Sequence, residues 1–281
     1  MPSLISSLVA VICLGTMPLL VPARGQELSR TNAPAHTDRD IDINAIVQQS
    51  AHVTEADREA SSEYEFSETD WEPDGSHKTY AVHMLYGSSY RQLIAIDGKP
   101  LPEDKQQEEE RKLRQEIFRR AHESPKQRAK RIAEHKKENA RDRRFIEEFV
   151  HAFHFELKGE QELDQREVYV VEAIPRPGFH PTDRDSTVLT GMRGTLYIDM
   201  QTDQWVKAEA EVTHPVSMAG FIATVEPGTS FVLEKTRLED NIWLPRHFTM
   251  TAKAEILSLI HHHEHEDVTY FNYHKAKPPS S

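Results

Sequence analysis

The sequence predicts a single α+β domain, in which an N-terminal helix and a charged helical hairpin pack on the concave face of a curved antiparallel β-sheet. Three observations predict this fold class. Apolar residues alternate along 64–96 as in strands, residues 103–152 contain no glycine and have a helical composition, and alternation returns over 153–274. We expect about ten strands. The domain should occupy residues 39–275, and 276–281 should form a tail.

The N-terminus has the pattern of a secretory signal peptide. Residues 4–21 are uncharged and mostly apolar, and the small residues Ala23 and Gly25 precede a plausible cleavage site. We therefore expect residues 1–25 to be removed on export and residues 26–38 to form a flexible leader. An uncleaved membrane anchor is the alternative, because no Lys or Arg precedes the apolar segment.

Composition excludes several classes of protein. The 281 residues include 34 basic and 46 acidic ones, a net charge of −12, whereas nucleic-acid binding needs a basic surface. No uncharged apolar run near 18 residues follows residue 25, which excludes a membrane-spanning bundle. The only cysteine, Cys13, lies in the signal segment, so the exported chain would have no disulfide, thiolate metal site or cysteine nucleophile.

The first elements are a helix and an antiparallel meander. Apolar residues recur at helical spacing up to residue 60, behind Asp40 or Asp42 as N-cap. Strands follow, and they are separated by turn signals at Pro73-Asp74-Gly75, Gly87-Ser88 and Asp97-Gly98.

Residues 103–152 form the charged hairpin, with 15 basic and 12 acidic residues. Ser124 and Pro125 mark the start of its second arm, as N-cap and first helical residue. A narrow apolar stripe marks the first arm: Leu113, Ile117 and Ala121. The stripe of the second arm thickens toward its end, which should dock on the sheet: Ile132, Phe145, Phe149 and Phe153. We expect the basic side chains to form a solvated face that is held by i,i+4 ion pairs. The alternative is that they contact anionic lipids or an acidic partner.

The C-terminal half is rich in strand patterns. We expect eight strands there, over 153–158, 166–174, 193–200, 204–213, 229–238, 242–252, 254–262 and 267–274. Turn signals occur at Lys158-Gly159, Thr202-Asp203 and Asp240-Asn241. The proline-rich segment 175–185 cannot be regular. An alternative is two domains that are divided at the hairpin. The three strands before the hairpin would, however, be only marginally stable by themselves.

A pair of predicted strands resembles a known family. Residues 192–199 and 204–211, Met-Arg-Gly-Thr-Leu-Tyr-Ile-Asp and Gln-Trp-Val-Lys-Ala-Glu-Ala-Glu, are similar to a hairpin of the LolA-like proteins, and residues 226–231 and 242–247 resemble the starts of later strands in that family. The resemblance implies a half-barrel in the periplasm that sorts outer-membrane lipoproteins without catalysis or cofactor. Its ligand would be a lipid or lipoprotein acyl chain, with an inner- or outer-membrane protein as a further partner.

Residues 215–228 contain the most informative apolar cluster. Met218, Phe221 and Ile222 would lie on a lid at the mouth of such a half-barrel, where methionine suits an irregular acyl chain. Trp205, Trp243 and Met250 are candidates for the same apolar wall. The alternative is a lid that merely closes a filled core. In that case the chain would be an envelope interaction or sensor domain without a lipid ligand.

The remaining polar motifs give little evidence of chemistry. His261, His263 and His265 would share one face of a strand at a spacing that suits Zn²⁺ or Cu²⁺, which leaves a metal-dependent enzyme as a third class. We favour a solvated strand end instead. No Gly-x-Ser-x-Gly elbow or phosphate-binding glycine loop occurs. Glu147 and Glu148 should lie on a solvated helix face and have no catalytic role.

Overall fold

The protein folds into one antiparallel sheet with three α-helices, as seen in a computed structural model that describes residues 41–218, 223–239, 241–256 and 260–276. The expected signal segment and leader lie outside these residues. The helices are α1 (Ile43–Ala60), α2 (Glu103–Ala121) and α3 (Pro125–Ala152), and short 3₁₀ helices cover Ser61–Glu63 and Asp185–Gly191. Within the described residues, no helix has the length and apolar character needed to span a membrane.

In the part of the chain that the structure describes, thirteen strands form the sheet. They are β1 (Tyr64–Trp71), β2 (His77–Leu85), β3 (Ser88–Ile96), β4 (Lys99–Pro100), β5 (Phe153–Leu163), β6 (Arg166–Pro175), β7 (Met192–Asp199), β8 (Trp205–Val212), β9 (Val216–Met218), β10 (Ala223–Val225), β11 (Ser230–Arg237), β12 (Trp243–Ile256) and β13 (Ile260–Lys275). The order across the sheet is β4-β3-β2-β1-β13-β12-β11-β8-β7-β6-β5, and the small β9–β10 hairpin pairs with β12. The expected α+β architecture is thus confirmed, with more strands than expected because β4, β9 and β10 are very short.

Local side-chain chemistry sets where the helices begin. Asp42 caps α1, since its carboxylate accepts hydrogen bonds from the backbone N–H groups of Asn44 and Ala45 at 3.1 Å each. Ser124 and Gln127 form a capping box at the start of α3, with Pro125 as the first helical residue. The N-caps and the helical hairpin predicted from the sequence are therefore confirmed.

The hairpin connects opposite edges of the sheet, because β4 and β5 are its two outermost strands. Helix α3 starts beside the β2–β3 turn, where Arg131 donates to the carbonyl of Tyr86 at 3.1 Å, and it leads directly into β5. Its 28 residues span about 42 Å at the usual rise per residue. Helix α3 therefore crosses the concave face. Phe145 and Phe149 pack on the core as expected.

Helix α2 contacts the sheet through a buried arginine and leaves much of its narrow apolar stripe exposed. Ile117 is 36% exposed and Ala121 is exposed, whereas Arg120 is only 5% exposed. The Arg120 guanidinium donates to the carbonyls of Leu85, Ser88 and Ser89 at 2.8 to 3.1 Å. An arginine can satisfy several carbonyls at once, and it thereby fixes the end of α2 beside the β2–β3 turn.

Two strand boundaries also differ from those expected. Lys158-Gly159 is not a turn, because β5 continues through a bulge at Gly159 and the chain reverses at Asp164 and Gln165, both with positive φ. The expected break between 242–252 and 254–262 does not occur, and the expected strand 254–262 is divided between the end of β12 and the start of β13. Strand β12 runs unbroken through Lys253. Ala252 and Ala254 are both buried, as alternate residues on one face of a continuous strand are.

Candidate ligand-binding cavity

A cavity of about 220 Å³ lies between helix α3 and the concave face of the sheet. Its floor consists of inward-facing residues on neighbouring strands. Leu196 on β7 pairs with Ala208 on β8, which pairs with Leu233 on β11. Side chains alternate across a strand, so the period-two apolar pattern of these segments places one continuous apolar surface under the helix.

Aromatic side chains form the wall on the helix side. Phe149 of α3 contacts three other aromatic rings: its centroid lies 4.9 Å from that of Phe153, 5.7 Å from Phe155 and 5.5 Å from Trp205. Phe145 and Ile146 extend this wall one turn earlier along the helix. The Phe149–Trp205 pair is edge to face, with the ring planes 66° apart, and it joins α3 to β8 of the sheet.

One end of the cavity is polar and carries two cations, Arg58 and Lys235. The Arg58 guanidinium donates to both carboxylate oxygens of Glu55, at 2.6 and 2.8 Å. The Lys235 ammonium donates to the hydroxyl of Thr54 at 3.3 Å. Burial lowers the pKa of Lys235 to about 8, and the charge of Asp57 on α1 opposes this shift only in part. Lys235 is thus a costly cation at the end of an apolar cavity.

The lining of this space is predominantly apolar, so water inside it would find few hydrogen-bond partners. The arrangement therefore suits an apolar ligand that fills the space.

The sequence-predicted residues of the apolar wall separate into two groups. Trp205, Trp243 and Met250 all line the cavity. Met218 is buried in β9 under the β9–β10 hairpin, paired with Ala223, and is not among the lining residues. Phe221 and Ile222 lie outside the described residues. Ligand contact by any of these side chains stays a prediction.

Sequence reasoning missed the residues at the polar end. Lys235 follows Phe231 and Leu233 at a spacing of two, so the alternation of β11 itself assigns the lysine to the concave face. A charged residue at an inward position of an otherwise apolar strand face was the available signal. Thr54 and Arg58 could not be placed in the same way, because the helical pattern of α1 does not reveal which strand it covers.

The histidine residues of β13 lie apart from the cavity. His261, His263 and His265 are exposed on one strand face and pair with Glu255, Lys253 and Thr251 of β12. No group of three or more His, Cys, Asp or Glu side chains within the described ranges is arranged to hold a metal ion.

Glu148 corrects one expectation about α3. It is 8% exposed, and its carboxylate accepts hydrogen bonds from the backbone N–H groups of Thr182 and Asp183 at 3.1 and 3.0 Å. The expectation of a solvated face was wrong for this residue, because the loop after β6 folds back over the end of α3. Glu147 is exposed as expected. Glu148 anchors this loop and does not line the cavity.

Several solved structures are similar to this chain, and they include the following three. A domain described as an outer membrane lipoprotein-sorting protein, from Vibrio parahaemolyticus, has a TM-score of 0.28 and 10% identity, with 82% of this chain and 93% of that chain covered. A LolA superfamily protein from Nitrosomonas europaea has a TM-score of 0.33 and 11% identity, covering 84% and 94%. The Pseudomonas aeruginosa MucA/MucB complex has a TM-score of 0.24 and 11% identity, covering 83% and 100%.

No protein-family model matches the chain, and no curated protein matches it in sequence. Similarity at the level of these three structures does not establish function. The open antiparallel sheet with helices across its concave face is, however, the architecture that the resemblance to the LolA-like family implies.

Proposed function

We propose that this protein is a non-enzymatic binding protein for an acyl chain, exported to the periplasm by its N-terminal segment. The observation that carries the proposal is the apolar cavity between α3 and the sheet floor. Burial of a methylene group contributes about 0.8 kcal/mol, so eight methylenes would contribute about 6 kcal/mol. An affinity near 10 to 100 μM follows from this contribution alone.

A role in the sorting of outer-membrane lipoproteins is the finer form of this proposal. It rests on the resemblance of residues 192–199 and 204–211 to the LolA-like hairpin, and on the signal-peptide pattern before Gln26. An acyl chain of a lipid and an acyl chain of a lipoprotein are chemically the same ligand for an apolar cavity. We therefore expect the cavity to bind the chain and to leave recognition of the lipoprotein to other surfaces.

A pair of substitutions on β11 tests whether the cavity binds a chain. Leu233 faces the cavity, while its neighbour Val232 lies on the opposite face of the same strand. A tryptophan at 233 would occupy the space that a ligand needs, so Leu233→Trp should weaken binding of the apolar fluorescent probe 1-N-phenylnaphthylamine by tenfold or more. Val232→Trp should change it by less than twofold. Circular dichroism of both variants checks that the sheet is intact.

The proposal fails if the folded wild-type protein binds no apolar probe, or if both tryptophan variants bind it as the wild type does. One observation would then favour an envelope interaction domain instead. Phe118 on α2 is 66% exposed beside His122, with ring centroids 4.0 Å apart, on a hairpin rich in basic side chains. An acidic protein partner would suit this surface.

A further inference from the structure

The polar end of the cavity contains a cation, Lys235, that no carboxylate among the described residues contacts directly. Lys235 lies on β11 beside Pro245 of β12, and its ammonium nitrogen donates to Thr54 Oγ1 at 3.3 Å. Among the described residues, no carboxylate oxygen lies within 4.0 Å of that nitrogen. An ammonium group has three donors, so donors remain for a ligand.

The neighbouring cation differs from Lys235 in this respect. Arg58 forms a two-pronged ion pair with Glu55, and Asp142 on α3 adds a further attraction. Asp57, the acid whose charge acts on Lys235, accepts a hydrogen bond from the backbone of Trp243 and another from the side chain of Gln204. The protein thus pairs Arg58 directly with Glu55 and holds Asp57 with other donors, while Lys235 has only the longer-range attraction of Asp57.

The size and lining of the cavity limit the ligand. A volume of about 220 Å³ is below the roughly 300–1,000 Å³ of pockets for drug-sized molecules, so it suits one chain and not several. The lining is mostly apolar, and its charged or titratable members besides Arg58 and Lys235 are His135, Asp142 and Glu209. Arg58, whose planar fork would suit a phosphate, is already paired with Glu55, so Lys235 alone offers its charge, and one point charge matches a monovalent headgroup.

We propose that Lys235 is the headgroup anchor of this cavity and that the ligand is the carboxylate of a single-chain fatty acid, whose chain lies along the apolar floor toward Leu196 and Met250. This inference rests on the proposed function and assigns the substrate class within it. Fixed cations in water-excluded sites attract an anion more strongly than they do in water. The burial that lowers the pKa of Lys235 to about 8 still leaves the amine mostly protonated at pH 7.

The test compares ligands that differ only in their headgroup. Dodecanoate, 1-dodecanol and dodecyl phosphate are each titrated against the bound apolar probe at pH 7, with the wild type and with three variants. The wild type should bind dodecanoate at least tenfold more tightly than dodecanol. Lys235→Met should abolish that preference without weakening dodecanol binding, and Lys235→Arg should keep it. Lys207→Met is the matched control, because Lys207 lies on the opposite sheet face with its amine 2.6 Å from Glu209, and it should keep the full preference.

A pH series separates the charge of Lys235 from its shape. Asp57 on α1 is the charge that acts on Lys235, and the other charged or titratable groups that line the cavity are Arg58 on α1, His135 and Asp142 on α3, and Glu209 on β8. As the pH rises from 7 to 9.5, the preference of the wild type for dodecanoate should fall as the lysine loses its proton. The preference of Lys235→Arg should stay constant over this range, since a guanidinium keeps its charge.

The outcomes distinguish this inference from the proposed function. If dodecanol and dodecanoate bind equally well to the wild type, the anchor is refuted while the acyl-chain cavity stands. If dodecyl phosphate binds more tightly than dodecanoate and depends on Lys235, the carboxylate assignment is overturned. If neither the probe nor any of the three ligands binds, both proposals fail together.

Discussion

Replacing Lys235 with methionine should make the ligand-free protein more stable at neutral pH. The lysine is held in the folded protein with a pKa near 8, whereas in the unfolded chain its pKa returns to the ordinary value of 10.5. The folded state therefore binds the lysine proton less tightly than the unfolded state does. At neutral pH, where the amine is charged in both states, that difference opposes folding.

The magnitude follows from the pKa difference. About 2.5 units at 1.36 kcal/mol per unit gives an upper limit of about 3 kcal/mol for the gain in the free energy of unfolding. The gain is reduced because Lys235 also attracts Asp57, whose pKa burial already raises. For a domain of this size, 3 kcal/mol would raise the melting temperature by roughly 6 to 12 °C.

The sign of the pH dependence provides the sharper measurement. Between pH 8 and 10.5 the unfolded chain holds a proton that the folded protein has released, so the stability of the wild type should rise with pH relative to Lys235→Met. Urea unfolding of both proteins at pH 7, 8, 9 and 10 measures this difference. The advantage of Lys235→Met should be largest at pH 7 and should disappear near pH 10.5.

Lys207→Met is the control with the opposite sign. Burial lowers the pKa of Lys207, but the hydrogen bond to Glu209 more than offsets this and the pKa lies above the ordinary value. This variant should therefore be less stable than the wild type at neutral pH. The reasoning about Lys235 is refuted if Lys235→Met is the less stable protein at pH 7 and its deficit shrinks above pH 8, because the ammonium would then have a stabilising partner in the fold.

Three further predictions concern the hairpin, the histidines and export. Arg120→Lys should lower the free energy of unfolding by about 2 kcal/mol, because an ammonium cannot reach all three carbonyls that accept hydrogen bonds from the guanidinium. Amide hydrogen exchange in residues 86–89 should become faster, and unchanged exchange would contradict the role given to Arg120. Changing His261, His263 and His265 together to glutamine should alter the free energy of unfolding by less than about 0.5 kcal/mol, since all three side chains are exposed. Stoichiometric zinc that is bound by the wild type and lost in the variant would contradict the interpretation of these histidines as a solvated strand end. Expression in a Gram-negative host should give a periplasmic product that starts near Gln26, and mass spectrometry that finds Met1 in the membrane fraction would rule out cleavage.

Local patterns in the sequence determined most of the secondary structure. Asp42 and Ser124 mark helix starts because a side-chain oxygen can satisfy free backbone N–H groups within three residues. Asp97-Gly98 marks a hairpin turn because both residues adopt positive φ, 50° and 69°. These signals are short in range, so a single sequence contains them in full. The inward position of Lys235 was equally present in the alternation of β11, although it had not been recognised as a binding feature.

The tertiary structure alone decided how the elements combine. Strand β1 pairs with β13, so Tyr64 lies opposite Lys275, and a period-two pattern does not specify a partner strand about two hundred residues away. Helix α3 crosses the concave face because β4 and β5 lie at opposite edges of the sheet, an arrangement that no local signal encodes. Whether the concave face is filled or hollow depends on the distance between Phe149 and the floor residues. Phe149 contacts Trp205 on β8, and Arg131 contacts the β2–β3 turn near the other end of α3, so contacts between distant segments of the chain position the helix. Such long-range packing decides the cavity, and the sequence by itself provides only the side chains that line it.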